Sequence, residues 1–211
     1  MSIYRFYERA KEYVMMKGYQ REIDFVEQRK FSDMNADQFF YEYVYVVLNA
    51  GMKNQVAEKI FSAFTHNGVN VIGHLGKRKA VIIAKGNFQA WFSTLSHMNN
   101  INEQLEYLKS LPWIGDITKY HLARNLGLDV AKPDRHLMRL AKIFKYDDVQ
   151  KMCQDVAERS KDRIGTVDVV LWRYCNLVPS CFEKADICEN CCVGDGDYYC
   201  DPAICCFVVT E

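Results

Sequence analysis

Apolar residues recur at three- and four-residue spacing along nearly the whole chain, the pattern of helices that each bury one face. The spacing predicts helices over 4–17, 38–48, 54–64, 88–97, 101–109, 117–126, 135–144, 147–158 and 166–176. Asp33, Asn54, Asp116 and Asp134 stand where N-caps belong, with short polar side chains suited to the free amides of a first turn. Strand-like alternation is confined to VNVIGH at 69–74 and CFVVT at 206–210, and Pro112, Pro133, Pro179 and Pro202 all fall in connections. The expectation is an all-α protein of roughly nine to eleven helices joined by short loops.

Composition narrows this picture. A chain of 211 residues, 49% hydrophobic and 13% aromatic, has material for one large domain or two small lobes and is not disordered. The opening MSIYRFYERAKEYVMMKGYQ carries polar residues every few positions, so no signal-type or membrane-spanning apolar run is expected, and a soluble intracellular protein is. The formal net charge of zero hides an asymmetry: from Cys181 to Glu211 seven acidic residues face one lysine, Lys184, which leaves an excess of about +6 on residues 1–180. A basic body suits a polyanion, although an ordinary solvated surface carries similar charge.

Cysteine usage is equally uneven. Eight of nine cysteines (Cys175, Cys181, Cys188, Cys191, Cys192, Cys200, Cys205 and Cys206) crowd into the last 37 residues, where helical periodicity stops. In an intracellular chain such clustering points to a metal or an iron–sulfur cluster rather than to disulfides. Asp195 and Asp197 lack the further ligands of a calcium loop.

The densest chemistry lies in 108–140, LKSLPWIGDITKYHLARNLGLDVAKPDRHLMRL. A helix ends near Ser110, LPWIG makes a tight turn, and the next helix is expected from Asp116. Amides around 113–117 would then point outward at a helix N-terminus, a ready anion site that grips a phosphate without side chains. Gly115 supplies backbone freedom there. Further on, Pro133 fixes the backbone ahead of Asp134, whose carboxylate is expected to cap the following helix and stay ionised. Taken alone, Asp134 reads first as a plain structural cap, and only the hairpin upstream at this spacing reverses that reading.

LPWIG, one helix, and then KPDRH resemble the hairpin and Gly/Pro-Asp loop of the helix-hairpin-helix (HhH-GPD) DNA glycosylases, which include endonuclease III-like enzymes. The segment YVYVVLNAGMKNQVAEKIF resembles that family's helix and minor-groove loop, so the likeness spans roughly residues 36–176. It implies a two-lobed helical fold, with 36–130 carrying the hairpin at 111–125, 1–35 plus 131–180 forming the second lobe, and 181–211 a Cys-rich tail. It further implies a DNA glycosylase of base-excision repair that acts on double-stranded DNA as a monomer. Such an enzyme flips a damaged base out of the stack and breaks its N-glycosidic bond. Asp134 would stabilise the positive charge developing on the sugar and orient a water. Pro112, Trp113, Ile114, Gly115, Ile117 and Thr118 would line the phosphate grip, with Arg135 and His136 beside the aspartate. Lys53, Asn54 and Gln55 would fill the gap left by the flipped base, and Lys132 and Arg139 are further phosphate candidates.

Two departures matter. Trp113 replaces the family's usual hairpin glycine, either as a buried anchor or as an aromatic face toward DNA. Bifunctional members carry a nucleophilic lysine two residues after the last hairpin glycine, where this chain has Ile117. Lys119 lies about 200° further around the helix, so a phosphate or solvent contact is expected of it, while Tyr120 and His121 become candidates to line the pocket. A monofunctional enzyme is therefore favoured. A bifunctional glycosylase/lyase using Lys119 and a non-catalytic helix-hairpin-helix DNA-binding module remain the alternatives. In the tail, Cys181-x6-Cys188-x2-Cys191 reproduces three ligands of the family's [4Fe–4S] motif, but Cys200 follows after eight residues rather than five; zinc fits the same thiolates, and Cys175 offers another register.

Overall fold

A computed structural model of the chain describes residues 2–178, and the tail ligands Cys181, Cys188, Cys191 and Cys200 lie outside the described residues. Ten α-helices account for most of the chain, and among the described residues there is no strand. They are α1 (Ile3–Met16), α2 (Gln20–Gln28), α3 (Ala36–Asn49), α4 (Asn54–Asn67), α5 (Leu75–Ser96), α6 (Ile101–Ser110), α7 (Thr118–Asn125), α8 (Arg135–Ile143), α9 (Val149–Ser160) and α10 (Ile164–Leu177). No helix among the described residues is long and apolar enough to cross a membrane.

The chain divides into two compact units, one built from the described residues up to 28 and from 129 onward, the other from Arg29–Leu128. In the first unit, α1 contributes Phe6, Tyr7, Ala10 and Val14 to a core shared with Leu137 and Leu140 of α8, Met152 and Val156 of α9, and Val167, Val170 and Leu171 of α10. α1, α8 and α9 each turn a single stripe inward at three- and four-residue intervals, whereas α10 is buried on every side from Gly165 to Leu171. In the second unit α3 is buried nearly all round, with Phe39, Tyr43, Val44, Val46, Val47 and Leu48 inside. Its C-terminal half, 43–48, is the most enclosed part, and α3 packs against α4, α5 and α7.

Several local expectations are corrected. α3 begins two residues after a single 3₁₀ turn that contains Asp33, and its cap is Asn35. Asn35 accepts from the Gln38 amide at 2.9 Å while Gln38 returns a bond to the Asn35 amide at 3.0 Å, a reciprocal box that outcompetes Asp33. Asn54 is the first residue of α4 rather than its cap. VNVIGH forms a 3₁₀ turn, Gly68–Val71, because of its side chains only Ile72 finds a buried site, too little to anchor a strand. The helix α2 and the first half of α5 are additional to the predicted set. α2 buries only Ile23 and Val26, one pair at i and i+3, too little to read as a period. α5 exposes Ile82 and Ile83 and buries Lys77, which inverts the expected pattern.

The end of α7 illustrates how close the backbone packs in the second unit. Gly127, at φ +89°, ends α7 with its amide bonded to Arg124 O and the Leu128 amide bonded to Ala123 O, a Schellman arrangement. A Cβ on Gly127 would lie 2.6 Å from the Lys30 carbonyl carbon and 2.7 Å from the Phe31 nitrogen. Nearby, Arg29 donates to Asn125 O at 2.9 Å and to Glu42 at 2.7 Å, and Asn125 donates to the other Glu42 oxygen at 3.0 Å. Burial pushes the Glu42 carboxyl up, against the pull of Arg29 and Asn125. Gly127→Ala is expected to destabilise the protein by about 1–3 kcal/mol or more, since both the positive φ and the contact with backbone oppose it. A urea midpoint unchanged from wild type would refute this.

Candidate active site

Asp134 sits in extended backbone at the N-cap of α8. Its Oδ1 accepts from the His136 amide at 2.9 Å and from the Leu137 amide at 3.2 Å, as expected from its place before a helical stripe. The approach to it is fastened along its length. Asp129 Oδ1 accepts from the Gly165 amide at 3.0 Å, and the Ala131 amide donates to Gln150 Oε1 at 3.0 Å while Gln150 Nε2 donates back to Ala131 O. The Lys132 amide donates to Asp168 Oδ2 at 2.8 Å, and the Asp134 amide donates to Lys132 O at 2.7 Å. Sequence reasoning missed Gln150 and Asp168, which lie 19 and 36 residues from their loop partners.

The neighbours of Asp134 are electrostatically uneven. Arg135 is exposed and its Nε donates to His136 Nε2 at 3.4 Å, so the assigned tautomer has its proton on Nδ1. That Nδ1 is buried without a hydrogen-bond partner. Burial pushes the His136 imidazole down, offset in part by the Asp134 carboxylate. Cys175, the alternative first ligand, is fully buried in the core of this unit, and burial raises its thiol to about 12 with Asp134 adding to the shift. Cys153 is likewise pushed up by burial and then by Asp168, Asp148 and Asp134. Among the described residues, no group of three His, Cys, Asp or Glu side chains is placed to hold a metal.

The hairpin of the other unit joins α6 to α7. Tyr43 OH donates to Pro112 O at 2.6 Å, and Ile114 is buried with its amide bonded to Leu111 O. Trp113 adopts φ +67°, the left-handed region that a bulky residue enters at a cost of about 1–3 kcal/mol. That geometry explains why glycine suits this position. The indole packs onto Gly76, where a Cβ would meet Cζ3 at 2.4 Å, and edge-on against His74 with ring centroids 5.0 Å apart. Trp113 remains 43% exposed, so about half of an indole's ~200 Å² is buried, worth roughly 2–3 kcal/mol at ~25 cal/mol per Å², enough to offset the strain. It is thus both anchored and accessible.

The hairpin differs from expectation in two respects. α7 begins at Thr118 and its cap position is Ile117, not Asp116. The Gly115 amide donates to Thr118 Oγ1 at 2.7 Å, which leaves this amide engaged within the turn. Asp116 instead pairs with Lys109 at 2.6 Å, and with both partners exposed to solvent this bridge adds little to stability. Lys119 is 7% exposed and pairs with Glu106 at 2.5 Å, with Asp116 3.8 Å away and the Tyr120 ring centroid 5.5 Å away. The predicted solvent or phosphate contact for Lys119 is therefore corrected: the face opposite Ile117 is packed by α6. Ile117 itself is 41% exposed.

His121 is buried edge-on to Tyr45, with ring centroids 6.2 Å apart, and Tyr120 is half-buried. Asn54 is spoken for inside its own lobe: its Oδ1 accepts from Tyr45 OH at 2.7 Å and from Asn49 at 2.6 Å, while its amide donates to Glu58 at 2.6 Å. These bonds make Asn54, one of the residues the resemblance offers as a wedge, a staple between α3 and α4. Lys53 and Gln55 remain exposed beside it. The loop before them is held by Lys77, whose buried amine donates to Leu48 O and Ala50 O, both at 2.7 Å. Desolvation pushes this amine down.

No protein-family model matches the sequence, and no curated protein matches it either. Among solved structures, the chain is similar to the Methanocaldococcus jannaschii 8-oxoguanine glycosylase/lyase in complex with a 15mer DNA containing 8-oxoguanine. The two share 20% identity at a TM-score of 0.62, over 78% of this chain and 94% of that one. The 8-oxoguanine DNA glycosylase of Thermotoga maritima is similar at 18% identity and a TM-score of 0.61, over 81% and 94% of the two chains. The chain therefore has the helical fold of the DNA glycosylases. Within that class its fold is shared with the 8-oxoguanine enzymes.

Trp113→Gly is expected to be more stable than Trp113→Ala by about 1 kcal/mol, because both lose the ring and only glycine tolerates the backbone. Equal urea midpoints would contradict the assigned φ. A pH effect follows from His136. The imidazole is held below its ordinary range in the folded state, so as pH falls the unfolded chain takes up the proton first and folding stability declines through that range. The effect is modest, since the ring is only half-buried, and in His136→Gln the slope of stability against pH between 7 and 5 should flatten.

Proposed function

We propose that this protein is a monofunctional DNA glycosylase of base-excision repair, with 8-oxoguanine as the first base to test. The observation that supports it best is Asp134, a helix-capping carboxylate on a backbone-fastened loop, in a chain whose fold is that of 8-oxoguanine glycosylases. In a fold of this class the N-glycosidic bond breaks with its electron pair leaving on the base. Positive charge then develops at the sugar C1′, where a nearby carboxylate stabilises it and takes the proton of the attacking water. A cap is well suited to that task, because hydrogen bonds donated by two backbone amides hold one of its oxygens in place.

Lyase chemistry needs an uncharged amine that reaches C1′. The position two residues after Gly115 is Ile117, and the nearest lysine along α7, Lys119, is buried against Glu106. Both facts favour base release without strand scission. The hairpin turn, Trp113 and the basic body would supply phosphate contacts to double-stranded DNA. We further propose that the thiolates of Cys181, Cys188, Cys191 and Cys200 hold a [4Fe–4S] cluster or zinc, an assignment that rests on their spacing alone.

The test is excision from duplexes carrying oxidised, alkylated, deaminated or mismatched bases, assayed with and without hot alkali. Strand breaks are expected only after alkali. Asp134→Asn should slow single-turnover excision about 10²–10³-fold while leaving DNA affinity intact, since asparagine still caps α8. An Asn variant as active as wild type would rule out this role, and a borohydride-trapped adduct lost in Lys119→Met would replace the reading with a lyase.

A further inference from the structure

Asp134 draws its position from the backbone before it, and that backbone carries more side-chain anchors than a cap needs. Capping requires only the carboxylate and the amides of His136 and Leu137. The chain adds two polar side chains from other helices to the four residues upstream. Gln150, the second residue of α9, brackets Ala131 by accepting from its amide and donating to its carbonyl. Asp168, in the middle of α10 and 1% exposed, accepts from the Lys132 amide. The Lys132 carbonyl in turn accepts from the amide of Asp134 itself at 2.7 Å. A continuous path of hydrogen bonds therefore runs from α9 and α10 through Ala131 and Lys132 to the aspartate.

Asp168 is buried within α10, and its Oδ2 reaches the Lys132 amide across 36 residues. Gln150 is half-buried at the start of α9, where the helix is already capped by Asp148 and needs nothing from its side chain. Neither residue is required to form its own helix. Gln150 meets Ala131 with both ends of its side-chain amide, and Asp168 meets Lys132.

We infer that Gln150 and Asp168 are positioning residues that hold the Ala131–Lys132 backbone and thereby set where the Asp134 carboxylate stands during base excision. This rests on the glycosylase reading and deepens it. Neither side chain touches the reacting atoms. They fix the backbone on which the carboxylate rides, so their loss displaces it from the sugar without removing it. A displacement of about 1 Å in such a group can cost on the order of 10²-fold in rate.

The experiment measures single-turnover excision from an 8-oxoguanine duplex, DNA affinity and hydrogen exchange of the 129–137 segment in the full-length protein. Wild type is compared with Gln150→Met, Asp168→Ala, Asp168→Asn and Asp134→Asn. Gln150→Met keeps side-chain length and should fold. The expected result is a single-turnover excision rate about 10- to 100-fold lower in Gln150→Met and Asp168→Ala, with affinity for the duplex unchanged and faster exchange at 129–137. Asp168→Asn, which keeps the acceptor for Lys132, should recover most of the rate lost in Asp168→Ala. Faster exchange with an unaltered rate in Gln150→Met would overturn the inference, as would a loss of rate that tracks DNA affinity alone. If Asp134→Asn is as active as wild type, or wild type leaves the base in place, the glycosylase reading fails and this inference falls with it; a full Asp134→Asn defect beside a fully active Gln150→Met sinks only the inference.

Discussion

The first turn of every α-helix exposes amides that have no carbonyl to bind, and in α8 that deficit is met by one carboxylate. Much of the first unit is arranged around this bond. α8 turns Leu137, Leu140 and Ala141 into the core, so its N-terminus is fixed by apolar packing against α1, α9 and α10. The incoming strand of backbone is then fixed by polar contacts from α9 and α10, with Asp129, Ala131 and Lys132 each held by a partner far away in sequence. Packing places the helix, hydrogen bonds place the loop, and Asp134 stands where the two meet. Under the proposed glycosylase reading, a carboxylate so constrained would lose little freedom on engaging a developing positive charge.

The second unit follows a different logic. Its hairpin carries a tryptophan in a backbone conformation that normally calls for glycine, and the indole settles on Gly76 and His74 at the start of α5. The two positions are thus coupled: the edge of the Trp113 ring occupies the space that a Cβ on Gly76 would fill. The same stretch of α5 sends Lys77 inward to the C-terminal carbonyls of α3, where a cation answers the negative end of the helix dipole. One turn of α5 therefore supports both the hairpin and the loop that opens α4. Lys109, Asp116, Glu106 and Lys119 complete the hairpin with two opposed ion pairs that leave no net charge among the four. Any attraction of this turn for a phosphate must come from its amides and from charges elsewhere on the body.

Lys119 shows what a helical wheel reads and what it misses. The wheel correctly separates it from Ile117 by more than half a turn, and the two residues do differ in environment. The direction of the difference is reversed, because α6 packs against the far side of α7 and seals the lysine against Glu106 while Ile117 stays accessible. Asn54 teaches the same lesson. Its position before a helix suggested a free polar tip, but Tyr45 and Asn49 of α3 reach it and consume its oxygen. Angular position is a property of one helix, and burial is a property of its neighbours.

What the sequence by itself determined is whatever a few consecutive residues settle among themselves. The helical class, most helix positions, the Asp134 cap and the breaks at LPWIG and KPD all follow from spacing, capping and the rigid φ of proline, which act within one or two turns. Tertiary structure decided the rest. The capping box at Asn35, the first half of α5 with its buried lysine, the left-handed Trp113 and the anchors Gln150 and Asp168 depend on partners tens of residues away or on backbone that only packing enforces. Local patterning can say that a carboxylate will cap a helix. Which distant side chains hold the backbone beneath it is decided only when the helices have packed, because a hydrogen bond across 36 residues has no period in the chain to announce it.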